Sequence, residues 1–300
     1  MTHLELLNVA LTWRIEQPGW PPVLVQSGYV VHAIGVDLVL PGDRRVAPDI
    51  VATCPDRGFT VLIEIKSGKG LEKHQFERML AITPEDLRDL NHFPIRDPNH
   101  HRVQVLFVCH ETSIESFERT IAARQRVAVA GFDGRRFRLA GDLVDNLLAD
   151  SIRGIEIAEG AIPTAVLPFD HESPLAAVAR HVIPVVVADL VAGASAVDSD
   201  GILRRTHSLV YTAMRPTGTK SELGLVRDRV TEVLKDAAHN ELSEWLERRT
   251  PDQTWTLKRA LASDASGRTR DLKALQTAAN ALYERLEVPG SQLPLFEGDL

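Results

Sequence analysis

Two runs rich in β-branched and apolar residues, one ending at Cys54 and one covering Phe59–Lys66, flank the turn-forming stretch Pro55-Asp56-Arg57-Gly58. This pattern predicts an antiparallel hairpin. With residues 55–58 as the loop, Cys54 pairs with Phe59, and counting back sets Asp49 opposite Glu64. Directly opposed residues share a face, with Cβ atoms about 4.5–5.5 Å apart. Strand periodicity adds Lys66 to that face and turns Val61, Ile63 and Ile65 to the other. One face is therefore expected to enter a core and the other to stay polar.

The remaining pattern predicts elements on both sides. Leu4, Leu7 and Leu11 recur at helical spacing before Pro18, and 29–34 and 36–40 read as strands broken near Gly35. After the hairpin come a helix over 71–82, a loop over 83–102 and a buried strand over 103–109. A helix over 113–124 and a closing hairpin at 127–132 and 136–139 follow. The proline-rich stretch 161–174 reads as a linker. Beyond it the pattern is nearly all helical: one long stripe runs from Leu223 to Trp245 and another from Leu272 to Leu286, predicting a bundle or a dimer seam. A helix-turn-helix around 214–221 is a further reading. The expected division is 1–160, a linker over 161–174, a helical domain over 175–288 and a flexible tail over 289–300.

Two like charges opposed across a hairpin repel unless something offsets them. A divalent cation does so, since Mg²⁺ is held by one or two carboxylates plus waters and phosphates. Lys66 on the same face could then orient or activate a metal-bound water. The bland alternative is an exposed hairpin carrying a cross-strand Lys–Glu pair. Pro48-Asp49 followed by Glu64-Ile65-Lys66 resembles the signature of the PD-(D/E)xK nuclease superfamily. The resemblance covers about residues 1–140. It implies an α/β, restriction-endonuclease-like αβββαβ core that cuts phosphodiesters with Mg²⁺ or Mn²⁺. Asp49 and Glu64 are then metal ligands and Lys66 the catalytic lysine. Relatives also carry an acidic ligand on the first helix, a role for Glu5 or Glu16, of which Glu5 is preferred. Gln75 lies on the apolar stripe of the helix after the hairpin, where some exonuclease-like relatives place a supporting Gln. They follow it four residues later with Tyr, where this chain has Met79.

Net charge of −7 leaves no global basic field for nucleic acid, so DNA contacts fall to local cations. Arg44 and Arg45 before the hairpin, and Lys69 and Lys73 after it, are the candidates, with a charged turn as the alternative for the arginine pair. Arg135, Arg136 and Arg138 suggest a basic edge or a solvated turn. The only cysteines, Cys54 and Cys109, sit in apolar runs and read as buried reduced thiols. His92, His100 and His101 read as a solvated loop. No secretory signal opens the chain and its longest apolar run is too short to span a bilayer, so a cytoplasmic location is expected. The pentad Gln292-Leu293-Pro294-Leu295-Phe296 resembles the peptide by which bacterial replication and repair proteins dock on the sliding clamp; packing on the protein's own bundle is the alternative. Together these features lead us to expect a metal-dependent DNA nuclease in repair, replication or anti-phage defence, with DNA, a sliding clamp and a second copy as partners. The alternative is a DNA-binding or clamp-tethered adaptor without catalysis.

Overall fold

The computed structural model describes residues 1–68, 70, 72–121, 124–214, 222–249, 254–258 and 260–286. It is a mixed α/β chain in two compact units. The first comprises Met1–Val166 with Thr212–Leu223, and the second comprises Leu167–Tyr211 with Gly224–Leu300. The chain leaves the first unit inside the expected linker and then returns to it for 12 residues, a detour that no composition change marks.

Helix α1 (His3–Thr12) opens the first unit, and α2 (Val23–Gln26) follows. Next come strands β1 (Val30–Ile34), β2 (Leu38–Leu40), β3 (Arg44–Val46), β4 (Ile50–Cys54) and β5 (Phe59–Lys66). Helix α3 (Lys73–Leu80) leads to β6 (Arg102–His110), α4 (Ile114–Ile121), β7 (Val127–Phe132), β8 (Phe137–Gly141) and α5 (Asn146–Arg153). One six-stranded sheet runs β1-β4-β5-β6-β7-β8, and β2 pairs separately with β3. Strands β5, β6 and β7 are parallel, while the outer pairings are antiparallel. Read in order, α1, β1, β4, β5, α3 and β6 form the expected αβββαβ core, with the β2–β3 hairpin inserted.

The β4–β5 ladder runs from Cys54↔Phe59 to Ile50↔Ile63, the register that a 55–58 turn predicts. Gly58 has φ 68°, and a Cβ there would lie 2.7 Å from the His100 carbonyl oxygen, so only glycine closes this turn without displacing the backbone. The expectation of one polar face on β5 is corrected. Residues 60–65 are all buried, because α1 lies against β5 and β6 and a core containing Leu62, Phe76, Met79, Phe107 and Phe117 covers the opposite face. A central strand whose two faces are both covered is buried on both sides, whatever the direction of its neighbours. Glu64 is therefore an ionisable group at the end of an apolar strand, 4% exposed.

Other differences have local causes. The 83–102 segment contains a π-helical turn at Asp86–Leu90 and a 3₁₀ turn at Pro98–His100. His101 is not solvated: its Nε2 lies 2.8 Å from the Thr60 hydroxyl and the side chain is buried. Arg135, Arg136 and Arg138 pair with Glu159, Glu156 and Glu118 and so form no free basic edge. Both cysteines are buried free thiols, and burial pushes Cys109 up to about 12.

The second unit holds α6 (Leu175–Val191), β9 (Ala196–Asp198), α7 (Ser199–Thr206), most of α8 (Glu222–His239), β10 (Leu246–Arg249), β11 (Thr254–Leu257) and α9 (Ala265–Arg285). It is mainly helical, but it also contains a three-stranded sheet ordered β10-β11-β9, where the helical period alone predicted a bundle. Leu242 and Trp245 do not continue α8. The helix ends at His239, and the stripe passes into turns that lead to β10. Of the expected helix-turn-helix only Met214, in a turn, is described, and the tail pentad lies outside the described residues. No helix among the described residues is long and apolar enough to cross a membrane.

Candidate active site

Strand β5 carries Glu64 and Lys66 to its C-terminal end, and the β4 register brings Asp49 beside them. The Ile65 backbone N–H donates to Asp49 Oδ2 at 2.6 Å, which fixes that carboxylate against the strand. Lys66 Nζ donates to Glu64 Oε1 at 2.8 Å, the two residues lying two apart on one strand face. Gln75, reaching down from α3, donates through Nε2 to the same Glu64 oxygen at 2.8 Å. Its Oε1 accepts from Lys66 at 3.4 Å, and its Nε2 also reaches the Ala47 carbonyl at 3.4 Å. Thus Asp49, Glu64, Lys66 and Gln75 meet in one place. Gln75 is there because its helical stripe, shared with Met79, faces the sheet.

Glu64 Oε2 is buried and has no hydrogen-bond partner. Leaving an acceptor so placed costs about 1–3 kcal/mol, and more if the group is charged. Burial, and next the Asp49 charge, push the Glu64 carboxyl up to about 7, while Lys66 and His3 pull it down. A carboxylate kept at this disadvantage by its neighbours is more typical of functional sites than of structural ones.

Glu5 does not join this group. Its carboxylate accepts from the Thr2 backbone N–H at 2.7 Å while the Thr2 hydroxyl accepts from the Glu5 N–H, a capping box that opens α1. The signal was present in the sequence as Thr2-x-x-Glu5. Glu16 is exposed beyond the end of α1. The residue that α1 does bring is His3, whose Nε2 lies 3.4 Å from Asp49 Oδ1. Sequence spacing could not reveal His3, because its place depends on how α1 packs across the sheet.

The expected phosphate-binding cations divide. Arg44 and Arg45 are exposed on β3, which packs against α3. Arg44 Nε donates to the Pro41 carbonyl at 3.1 Å, and Arg45 lies 3.7 Å from Asp37. Lys73 is exposed at the first position of α3, and Lys69 lies outside the described residues.

No group of three or more His, Cys, Asp or Glu side chains arranged to hold a metal occurs among the described residues. The available donors are two carboxylates, with the buried open oxygen of Glu64 among them. Hard oxygen donors of this number suit Mg²⁺ or Mn²⁺, which keep several ligand positions for water and phosphate. They are too few for a closed structural site.

Residues 2–123 match the MJECL32 domain, a description that states no chemistry. The matched stretch contains the whole Asp49–Glu64–Lys66–Gln75 group and His3. No curated protein and no solved structure matches the chain.

Proposed function

We propose that the chain is a metal-dependent deoxyribonuclease of the PD-(D/E)xK kind. The observation that carries this reading is the Glu64 carboxylate: Lys66 and Gln75 hold one oxygen, and the other is buried and open beside Asp49. Asp49 and Glu64 would hold Mg²⁺ or Mn²⁺, which when bound supplies Lewis acidity at a phosphoryl oxygen and a more acidic water.

The chain's own residues do the positioning. The Ile65 N–H fixes one Asp49 oxygen, and His3 stands beside the other. Gln75 ties α3 to the strand and holds Glu64 and Lys66 in register. The Lys66 side chain is 18% exposed, so its ammonium can reach both the buried acid and an incoming phosphate. There it orients the attacking water and offsets charge gathering on the phosphate oxygens. Water oxygen bonds to phosphorus as the bond to the leaving oxygen breaks; the attacking water gives up one proton to solvent and the leaving oxygen takes up one from solvent, so the step balances. The C-terminal pentad, by its resemblance to clamp-docking peptides, adds a sliding clamp as a partner, with Leu295 and Phe296 as the apolar anchors.

The test is a cleavage assay across supercoiled, linear, branched and single-stranded DNA, and RNA, with and without Mg²⁺ or Mn²⁺. Metal-dependent cutting of at least one DNA form is expected. DNA binding without cutting under any condition would instead favour the adaptor reading.

A further inference from the structure

A second feature of the first unit lies on the same face as the acids. Strand β1 is an edge of the sheet, and its pairing with β4 carries a β-bulge between Val31 and Ala33. Bulges re-aim side chains and are common next to active sites. Ala33 belongs to the core cluster that contains Leu62 and Phe93, the side of the sheet on which Glu64 lies. The extra residue, His32, is turned to that side too. Its ring meets the Phe93 ring edge-on with centroids 6.2 Å apart, and its Nε2 is buried without a hydrogen-bond partner.

The opposite wall is also held out of regular geometry. His92 has φ 57°, a left-handed conformation uncommon for a residue with a Cβ. Asn91 holds the loop in place: its amide accepts from the Val39 N–H at 2.7 Å and donates to the Val39 and Asp86 carbonyls, both at 2.9 Å. Together with Thr212 and Ala213 these residues enclose a cleft of about 330 Å³. That is at the small end of ligand clefts.

Position and chemistry identify the occupant. Gly35 N–H donates to the Asp49 carbonyl at 2.9 Å, so Asp49 stands across from Gly35, three residues along the chain from His32. At strand rise that is about 10 Å, within reach of a nucleotide next to the scissile bond. Among the described residues the cleft lining has no Lys, Arg, Asp or Glu; it consists of two imidazoles, an amide, a hydroxyl, a phenyl ring and small apolar groups. Burial holds the His32 imidazole towards its neutral form. Such a lining suits a flat, neutral, polar ring better than a phosphate. We infer that this cleft receives a nucleobase of the bound strand, one or two nucleotides from the bond that is cut. The inference rests on the nuclease reading for its substrate.

The test uses the full chain and two readouts. The imidazole resonances of His32 and His92 are followed by NMR as adenosine or cytidine is added, and in parallel as inorganic phosphate is added. A nucleoside should shift both resonances saturably, phosphate should move neither, and filling the cleft by Thr212→Trp should abolish the shifts. Shifts with phosphate alone, or none with any probe, overturn the inference. This readout needs no cleavage, so its failure is separate from failure of the nuclease reading. The second readout is a scan of cleaved strands that each carry one abasic residue. Loss of the base at one position near the cut should raise KM about tenfold in the wild type, the scale of losing one base contact. The effect should fall below about twofold in His92→Asn, because Asn tolerates the left-handed backbone but lacks the ring. A flat scan, or one unchanged by His92→Asn, overturns the inference.

Discussion

Two of the carboxylates buried in the first unit, Asp145 and Glu64, are treated in opposite ways. Asp145, 2% exposed, caps α5 and is fully used. Its Oδ1 accepts from Arg57 and from the Leu147 N–H, and its Oδ2 accepts from the Tyr29 hydroxyl, which Gln104 supports in turn. Glu64, 4% exposed, has one oxygen crowded with donors and the other with none. Buried charge that is completely partnered ties elements together. Buried charge that is half partnered is costly to folding and is retained where something outside the chain completes it. Asp145 joins Tyr29 just before β1, the β4–β5 turn, β6 and α5, whereas Glu64 faces the proposed cation seat.

The comparison makes its largest prediction in activity. Asp49→Ala or Glu64→Ala should lower cleavage at least about a thousandfold, since each removes a group needed to stabilise transition-state charge. Asp145→Asn should leave kcat within a few-fold in whatever fraction stays folded. Single-turnover rates of the three variants measure this, and equal losses would erase the distinction. Lys66→Ala should also lower kcat by orders of magnitude while changing DNA affinity only a few-fold, because one charge is a small part of polyelectrolyte binding. Lost affinity with an intact saturated rate would make Lys66 a backbone contact and not part of the catalytic group.

Stability should run the other way. Removing one partner of a buried ion pair costs about 3–5 kcal/mol, so Asp145→Ala should shift the urea midpoint strongly downward. Glu64→Gln should hold or raise it when no cation is present. An equal fall in both variants would show that Glu64 is as structural as Asp145.

Those contrasts bear on what the sequence disclosed. The β4–β5 register was legible because a four-residue turn rich in Pro, Asp and Gly fixes the count, and register then dictates which residues oppose. The place of Gln75 on a sheet-facing stripe was legible from helical spacing, and its supporting role only from the family resemblance. His3 was not, because only the packing of α1 on the sheet brings it to Asp49. Glu5, the preferred candidate for a further ligand, is engaged instead in a capping box that was itself written in the sequence as Thr2-x-x-Glu5. The short strands β9, β10 and β11 were hidden for another reason. Strand β9 has its partner β11 far along the chain, while β10 and β11 are close in sequence but only four residues each, too short to show a clear alternating period.

A smaller effect follows from protonation. The Glu64 carboxyl is raised from 4.5 to about 7, first by burial and then by Asp49. The folded state therefore holds this proton more tightly than the unfolded state. The associated stability is fully present below about 4.5 and is lost as pH rises through about 7. Without cation, the wild type should weaken over this window relative to Glu64→Gln, by on the order of 3 kcal/mol. Parallel denaturation series at several pH values measure it, and two parallel curves would contradict it.

The central claim is that the open Glu64 oxygen and Asp49 together form a cation seat, and calorimetric titration of the full chain with Mn²⁺ tests it most directly. The account predicts one saturable site whose affinity falls as pH is lowered below about 7, where protons compete for Glu64. The same titration should show no site in Asp49→Ala or Glu64→Gln. Binding that persists unchanged in both variants, or a wild type that binds no cation at any pH between 6 and 9, would contradict it.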